Sequence, residues 1–120
     1  MKIRLDETDI LFSKLIRLKA DNHCEYCGKY FKNLQCSHFF GRRRKSVRYD
    51  PDNASALCMS CHMYLGENPY AHTEWFKKRL GSERFEQLSI RNNMIKKYTK
   101  EDKENIKTKL KEQIKLWEGE

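Results

Sequence analysis

Two Cys-x-x-Cys pairs, Cys24/Cys27 and Cys58/Cys61, stand thirty residues apart in the 120-residue chain. Four thiolates at this spacing can close a tetrahedral zinc site, and a site whose four positions are all filled by protein is structural rather than catalytic. One ion held by all four would staple the two ends of residues 24–61 together. Everything enclosed between them, His38, Arg42-Arg43-Arg44-Lys45, Asp50 and Asn53 included, is then held in a fixed geometry. The second pair runs directly into a histidine, His62. The fifth cysteine, Cys36, lies eight or more residues from either pair, and its expected place is a strand position, as a small buried hydrophobe.

The rest of the composition explains why a metal would be useful. With 35% charged and 38% hydrophobic residues, the chain can bury only a small apolar core. Small domains bury a low fraction of their surface, and a bound metal commonly makes up the deficit. Lys and Arg outnumber Asp and Glu by 25 to 17, a formal charge of +8. That excess favours a polyanion such as nucleic acid, or an anionic membrane surface. No apolar run reaches membrane-spanning length, and the leading segment, Met1-Lys2-Ile3-Arg4-Leu5-Asp6-Glu7, lacks the apolar stretch of a signal peptide. A reducing cytoplasm is the expected setting, since there thiols stay available to metal.

No internal repeat or low-complexity linker divides the chain, which reads as a single domain over 1–120: an N-terminal helix (1–22), a zinc-framed centre (23–66) and a helical C-terminal region (67–120). Leu11, Leu15 and Leu18, joined by Ile10, Phe12 and Ile16, recur at helical spacing and predict a helix over 8–20, capped by Thr8 and ended by Asp21-Asn22. A short knuckle follows at His23-Cys24-Glu25-Tyr26-Cys27-Gly28, where glycine suits the tight turn that brings amides towards sulfur. Residues 33–39 read as one strand and 46–49 as a second, with the basic loop Gly41-Arg42-Arg43-Arg44-Lys45 between them. Asp50-Pro51-Asp52-Asn53 is a turn signal, and a helix is expected from near Ser60 through His62 and Leu65. Asn68-Pro69 predicts a further helix start, Gly81 its end, and Ser82 the cap of another over 83–92. Thr99-x-x-Asp102 is a capping box ahead of a long amphipathic helix whose Ile106, Leu110, Ile114 and Trp117 share one stripe. The total is five helices and one small hairpin.

His38, Asn53 and His62 fall in that order on strand, loop and helix, with a zinc pair framing the last two. Taken singly, each has an ordinary explanation: a surface histidine, a turn asparagine, a spare zinc ligand. Together they resemble an HNH nuclease of the ββα-metal (His-Me finger) superfamily. Gln35-Cys36-Ser37-His38-Phe39-Phe40-Gly41-Arg42, Tyr49-Asp50-x-x-Asn53 and Leu57-Cys58-x-x-Cys61-His62, extended by Tyr64-Leu65-x-x-Asn68-Pro69, are similar to the phage NinG/Rap recombination nucleases. The likeness covers roughly residues 20–80. His23 and His72 lie outside the pattern and read as flanking or packing residues.

The resemblance implies an α+β fold: a small zinc-stabilised, treble-clef-like ββα-metal core with flanking helices and a long C-terminal amphipathic helix. It implies that His38 is the general base, that Asn53 braces the loop, and that His62 holds a catalytic Mg2+ or Mn2+ ion. Histidine suits the first task because its ordinary pKa lies near neutral pH. A one-metal hydrolysis leaving 5′-phosphate and 3′-hydroxyl ends would follow. Ser37 departs from the pattern, for the family usually carries an aspartate or histidine there as a metal ligand; Asp50 and Cys36 are the nearby substitutes. Arg42, Arg43, Arg44, Lys45 and Arg48 are placed to grip phosphates beside the cut, contacts that fix register without reading bases. The expectation is therefore a DNA endonuclease selective for branched or Holliday-junction DNA, acting in phage recombination in the host cytoplasm. A homodimer would follow if junctions are cut symmetrically. The alternatives are a nicking or packaging-associated HNH enzyme on duplex DNA, and a zinc-stabilised module that binds nucleic acid without cutting it.

Overall fold

The computed structural model describes residues 5–119; Met1 to Arg4 of the leading segment, and Glu120, lie outside the described residues. Among those described, the chain forms five α-helices and one two-stranded sheet, a small α+β domain: α1 (Glu7–Lys19), β1 (Gln35–His38), β2 (Ala54–Leu57), α2 (Met59–Glu67), α3 (Pro69–Leu80), α4 (Ser82–Asn92) and α5 (Lys100–Trp117). No helix is long and apolar enough to cross a membrane.

The cap of helix α1 lies two residues earlier than the leucine spacing predicts. Asp6, not Thr8, is the N-cap: its carboxylate accepts from the Asp9 amide at 2.9 Å, while the Asp9 carboxylate accepts from the Asp6 amide at 3.0 Å. A carboxylate outcompetes a threonine hydroxyl here because it also complements the helix dipole, and Thr8 is buried inside the helix instead. The far end stops as expected, at Asp21 and Asn22, both in the left-handed region with φ of 51° and 57°. Phe12, Leu15 and Ile16 on its inner face pack with Leu57, Leu65, Leu110 and Ile114 in the larger core. The stripe on α5 is thus spent against α1, and Trp117 at its end is exposed.

The second strand is not at 46–49. Residues Lys45–Val47 form a single 3-10 turn, and β2 lies at Ala54–Leu57, antiparallel to β1 with His38 opposite Ala54 and Gln35 opposite Leu57. All four residues of β2 are buried, so the alternation that marks a half-exposed strand is absent from Ala-Ser-Ala-Leu. Ser46-Val47-Arg48-Tyr49 alternates, but Val47 alone is drawn inward, into a second apolar cluster with Phe76, Leu80 and Leu88. A turn at Pro51–Asn53, capped by the Asp50 side chain, delivers the chain into β2. Pro69 opens α3 as expected, although the Asn68 amide turns back to donate to the Tyr64 carbonyl. Gly81, at φ 86°, ends α3 and also occupies the N-cap of α4, displacing Ser82 to the first helical position.

Candidate functional site

The four paired cysteines come together. The sulfurs of Cys24, Cys27, Cys58 and Cys61 all lie within 4.8 Å of one another. A tetrahedron of thiolates about 2.3 Å from a central ion has edges of about 3.8 Å. The donor set therefore fits a structural zinc ion with little adjustment. Gly28, at φ 79°, lets its amide reach back to the Cys24 carbonyl at 2.8 Å and closes the first knuckle. Burial raises the Cys24 thiol, but the amides of Cys27, Cys58 and Tyr26 overcome it and bring the pKa down to about 7, which favours the thiolate a metal needs. Glu25, inside the first pair, ties this cluster to the sheet. Its amide donates to the Ala56 carbonyl at 2.9 Å, its carboxylate accepts from the Ala56 amide at 2.6 Å, and Arg79 of α3 clamps it at 2.7 Å.

A second frame is built on one asparagine. Asn53 is fully buried. Its Oδ1 accepts from the Phe40 amide at 2.8 Å, and its Nδ2 donates to the carbonyls of Phe40 at 2.8 Å and Val47 at 3.1 Å. The side chain thus satisfies the backbone of both arms of the loop 39–53, beyond the end of the β ladder.

His38 sits at the end of β1, just where that loop begins. Its Nε2 lies 2.9 Å from the Arg48 carbonyl oxygen. A carbonyl can only accept, so Nε2 is assigned the hydrogen and Nδ1 the lone pair. Nδ1 is buried with no hydrogen-bond partner, and the ring packs on Phe12 at 5.6 Å. Burial, aided by the Arg42 charge, pushes the imidazole pKa down to about 4, so the ring is neutral at pH 7. The carbonyl that orients it is itself anchored. Arg48 makes a two-pronged ion pair with Asp9 of α1, Nε to Oδ1 at 2.9 Å and Nη2 to Oδ2 at 2.6 Å.

The basic residues divide. Arg48 is engaged with Asp9. Arg44 leans on α4, donating from Nε to Asn92 Oδ1 at 3.0 Å, and the Lys45 carbonyl accepts from the Tyr98 hydroxyl at 2.6 Å. Arg43, Arg44 and Lys45 are exposed beside Lys96, lining a groove of about 360 Å3. Arg42 points the other way. With His62 and Cys36 it lines a cleft of about 400 Å3 between α1, β1 and the start of α2, to which α1 contributes Ser13 and Arg17. Neither a hydrogen bond nor a ring contact joins His38 to His62 among the described residues. Ser37, the residue before His38, is buried on the face of β1 away from Cys36. Asp50 is taken up by Arg91 at 2.7 Å and by the Asp52 amide. His23 flanks the knuckle through its Nδ1, 2.7 Å from the Asp21 carbonyl, and His72 packs on Phe39 at 5.1 Å between ring centroids.

Sequence spacing misses Arg17, Glu25 and Arg79. A single arginine on a helix carries no motif, and the Glu25–Arg79 link spans elements whose packing no local pattern encodes.

A small α+β domain with a four-cysteine cluster and a histidine–asparagine loop frame is the class of protein these features define. Residues 4–120 match the family model described as Bacteriophage Lambda NinG protein, and the chain belongs to that family. No curated protein and no solved structure matches it.

Proposed function

We propose that this chain is an HNH endonuclease that hydrolyses DNA phosphodiester bonds, selective for branched DNA such as Holliday junctions, in phage recombination. One observation carries the reading most: His38 ends β1 as a neutral imidazole, Nε2 pinned and Nδ1 unpaired, next to a loop locked by Asn53. The order strand, loop, strand, helix that bears His38, Asn53 and His62 supports a ββα core built on β1, β2 and α2. In this mechanism Nδ1 of His38 accepts a proton from the attacking water, which must enter the pocket now closed over that atom. Asn53 and the Asp9–Arg48 pair act only through the position of the ring. Positioned proton transfer of this kind contributes typically about 100- to 10,000-fold.

The resemblance also assigns His62 a Mg2+ or Mn2+ ion. The residues around it do not fit a resident hard cation. Such ions take oxygen ligands, chiefly carboxylates. The cleft at His62 offers an imidazole, a thiol, an amide and a hydroxyl beside two guanidinium groups, and among the described residues no carboxylate lines it. That same donor set favours a second reading, a zinc-stabilised module that binds DNA without cutting it.

A plasmid-nicking assay with magnesium or manganese, comparing the parent with His38→Ala, separates the two. Loss of at least about 100-fold in the variant supports the enzyme, whereas cutting that persists undiminished sinks His38 as the base. A parent that binds DNA and never cuts favours the module. Comparing four-way junction with linear duplex then decides between the junction enzyme and a nicking or packaging-associated nuclease on duplex DNA. A homodimer is part of the junction proposal, since symmetric cutting needs two sites.

A further inference from the structure

The cleft between α1 and β1 combines features that point to an anion. Arg17 and Arg42 both line it, from elements distant in sequence, and Ser13, Gln35, Cys36 and His62 complete its polar wall. Arg42 Nε is buried with no hydrogen-bond partner. An orphaned donor is costly, and more so when it is charged, so the folded chain gains from an acceptor there. Two positive charges in a recess that no carboxylate lines among the described residues repel a bare cation and attract an anion. Cys36 does not offset them, because burial pushes its thiol up and keeps it uncharged. Asp9 of α1 is committed to Arg48, and Glu25 of the knuckle to Arg79.

We propose that this cleft is the seat of one DNA backbone phosphodiester, gripped by Arg17 and Arg42 beside His62. Guanidinium forks match the paired oxygens of a phosphate, and a rotation of the Arg42 side chain that brings its buried Nε–H out to the cleft gives that donor its acceptor. The proposal rests on DNA being the ligand, as in the preceding section, and names which residues hold it. It draws α1 into the interface, where the sequence offered only the 42–48 loop. It also accounts for the poor cation site at His62: the donors around that ring are those of an anion seat.

The test measures binding rather than cutting. Full-length, zinc-loaded His38→Ala protein is titrated with fluorescently labelled four-way junction and linear duplex, without added magnesium and without chelator, over a range of salt. Arg17→Gln and Arg42→Gln, each in that background, are expected to weaken binding about tenfold and to lower the slope of log K against log salt by about one. Arg17→Lys should recover part of the loss, and Lys78→Gln, on the exposed side of α3 and outside the cleft lining, should change neither quantity. Side-chain 15N signals give a readout independent of variant folding: a phosphodiester dinucleotide added to His38→Ala protein should shift the Nε signals of Arg17 and Arg42. Unchanged affinity and slope in Arg17→Gln, unmoved Nε signals, or magnesium alone saturating His62 at sub-millimolar concentration would each overturn the seat. Failure of the nuclease reading looks different. Cutting that survives in His38→Ala removes the base and leaves the Arg17 binding effect standing. A parent that binds no DNA overturns both.

Discussion

The four-cysteine frame and the Asn53 frame close two nested segments by opposite means. The cysteines span residues 24–61 with four side chains converging within 4.8 Å, a donor set whose geometry a single ion can dictate. Asn53 spans 39–53 with one neutral side chain, three hydrogen bonds and no charge. The first depends on something outside the chain, so its strength varies with metal and proton concentration. The second is made of groups that would otherwise be buried and unpaired, so its strength shows mainly when it is broken. The cysteine cluster ties the ends of the segment together, while His38 is oriented within it by the hydrogen-bonded loop.

Breaking the metal frame should have the largest effect. The folded chain should carry one equivalent of zinc, and Cys58→Ser, or a strong chelator, should remove it. Structural zinc contributes apparent binding energies of about 10–16 kcal/mol in small domains, comparable with the whole stability of a domain this size. Loss of cooperative thermal unfolding, followed by circular dichroism with metal analysis, is the expected result. A zinc-free variant with an unchanged transition would show that the cysteines are not a structural site.

Breaking the asparagine frame should cost less but act locally. Asn53→Ala leaves the Phe40 carbonyl and amide without partners and the Val47 carbonyl with the Asp50 amide alone. At about 1–3 kcal/mol for each of the two groups left unpaired, partly recovered by water, the loss should be about 2–4 kcal/mol. Urea midpoints measure it, and zinc content should stay at one equivalent. If zinc is lost as well, the two frames are one cooperative unit and the contrast between them fails.

The difference between the frames also governs what could be read from the sequence. Cysteine spacing is a local pattern tied to the radius of an ion, so the zinc set is legible without the fold. The five helices are legible for a similar reason: Thr99-x-x-Asp102, Pro69 and Gly81 are end signals with fixed chemistry. β2 is not legible, because full burial erases alternation and because Ala-Ser-Ala-Leu carries little strand preference. Ser46-Val47-Arg48-Tyr49 has the alternation but lies in turns, where its backbone groups are met by Asn53 and by His38 rather than by a partner strand. The site follows the same division. The order His38, Asn53, His62 can be read directly. That Arg17 and Arg42 share a cleft with His62, while Arg44 and Arg48 are turned to Asn92 and Asp9, depends on contacts across 25 residues or more, or on the direction in which a loop arginine points.

A pH titration sharpens the contrast from the side of His38. Burial sets its folded pKa at about 4 against an ordinary value of 6.5. Above pH 6.5 both the folded and unfolded chains hold the ring neutral, and it leaves stability unchanged. Below that point the unfolded chain takes up a proton that the folded chain refuses, so stability falls as pH drops from 6.5 towards 4. The full difference is roughly 3 kcal/mol, and half-buried His72, whose pKa is also lowered by burial, adds in the same direction. Urea midpoints of the parent and His38→Gln across this window isolate the His38 share from any acid release of zinc, since both proteins carry the same cysteines. Parallel curves for the two would mean that the ring is not held neutral by its surroundings. For catalysis the same shift predicts no loss of activity from His38 protonation until the pH approaches about 4.

The smallest effect should come from Asp9→Asn, and it is the most selective probe of how the two frames divide the molecule. The substitution keeps a side-chain oxygen for the Asp6 amide, so the reciprocal cap of α1 survives. What it removes is the negative charge under Arg48, whose guanidinium is 14% exposed and makes two hydrogen bonds to that carboxylate. Losing one partner of a partly buried pair costs less than losing a fully buried one, and about 2 kcal/mol is expected. The Arg48 carbonyl that orients His38 depends on the same anchor, so the consequence should appear in the turns around Val47–Tyr49. Amide hydrogen exchange there should accelerate about tenfold, whereas the knuckle amides of Cys27 and Gly28, held by sulfur and by the Cys24 carbonyl, should keep the parent rate. Uniform acceleration across both regions would mean that Asp9–Arg48 stabilises the domain as a whole and does not specifically hold the loop that aims the histidine.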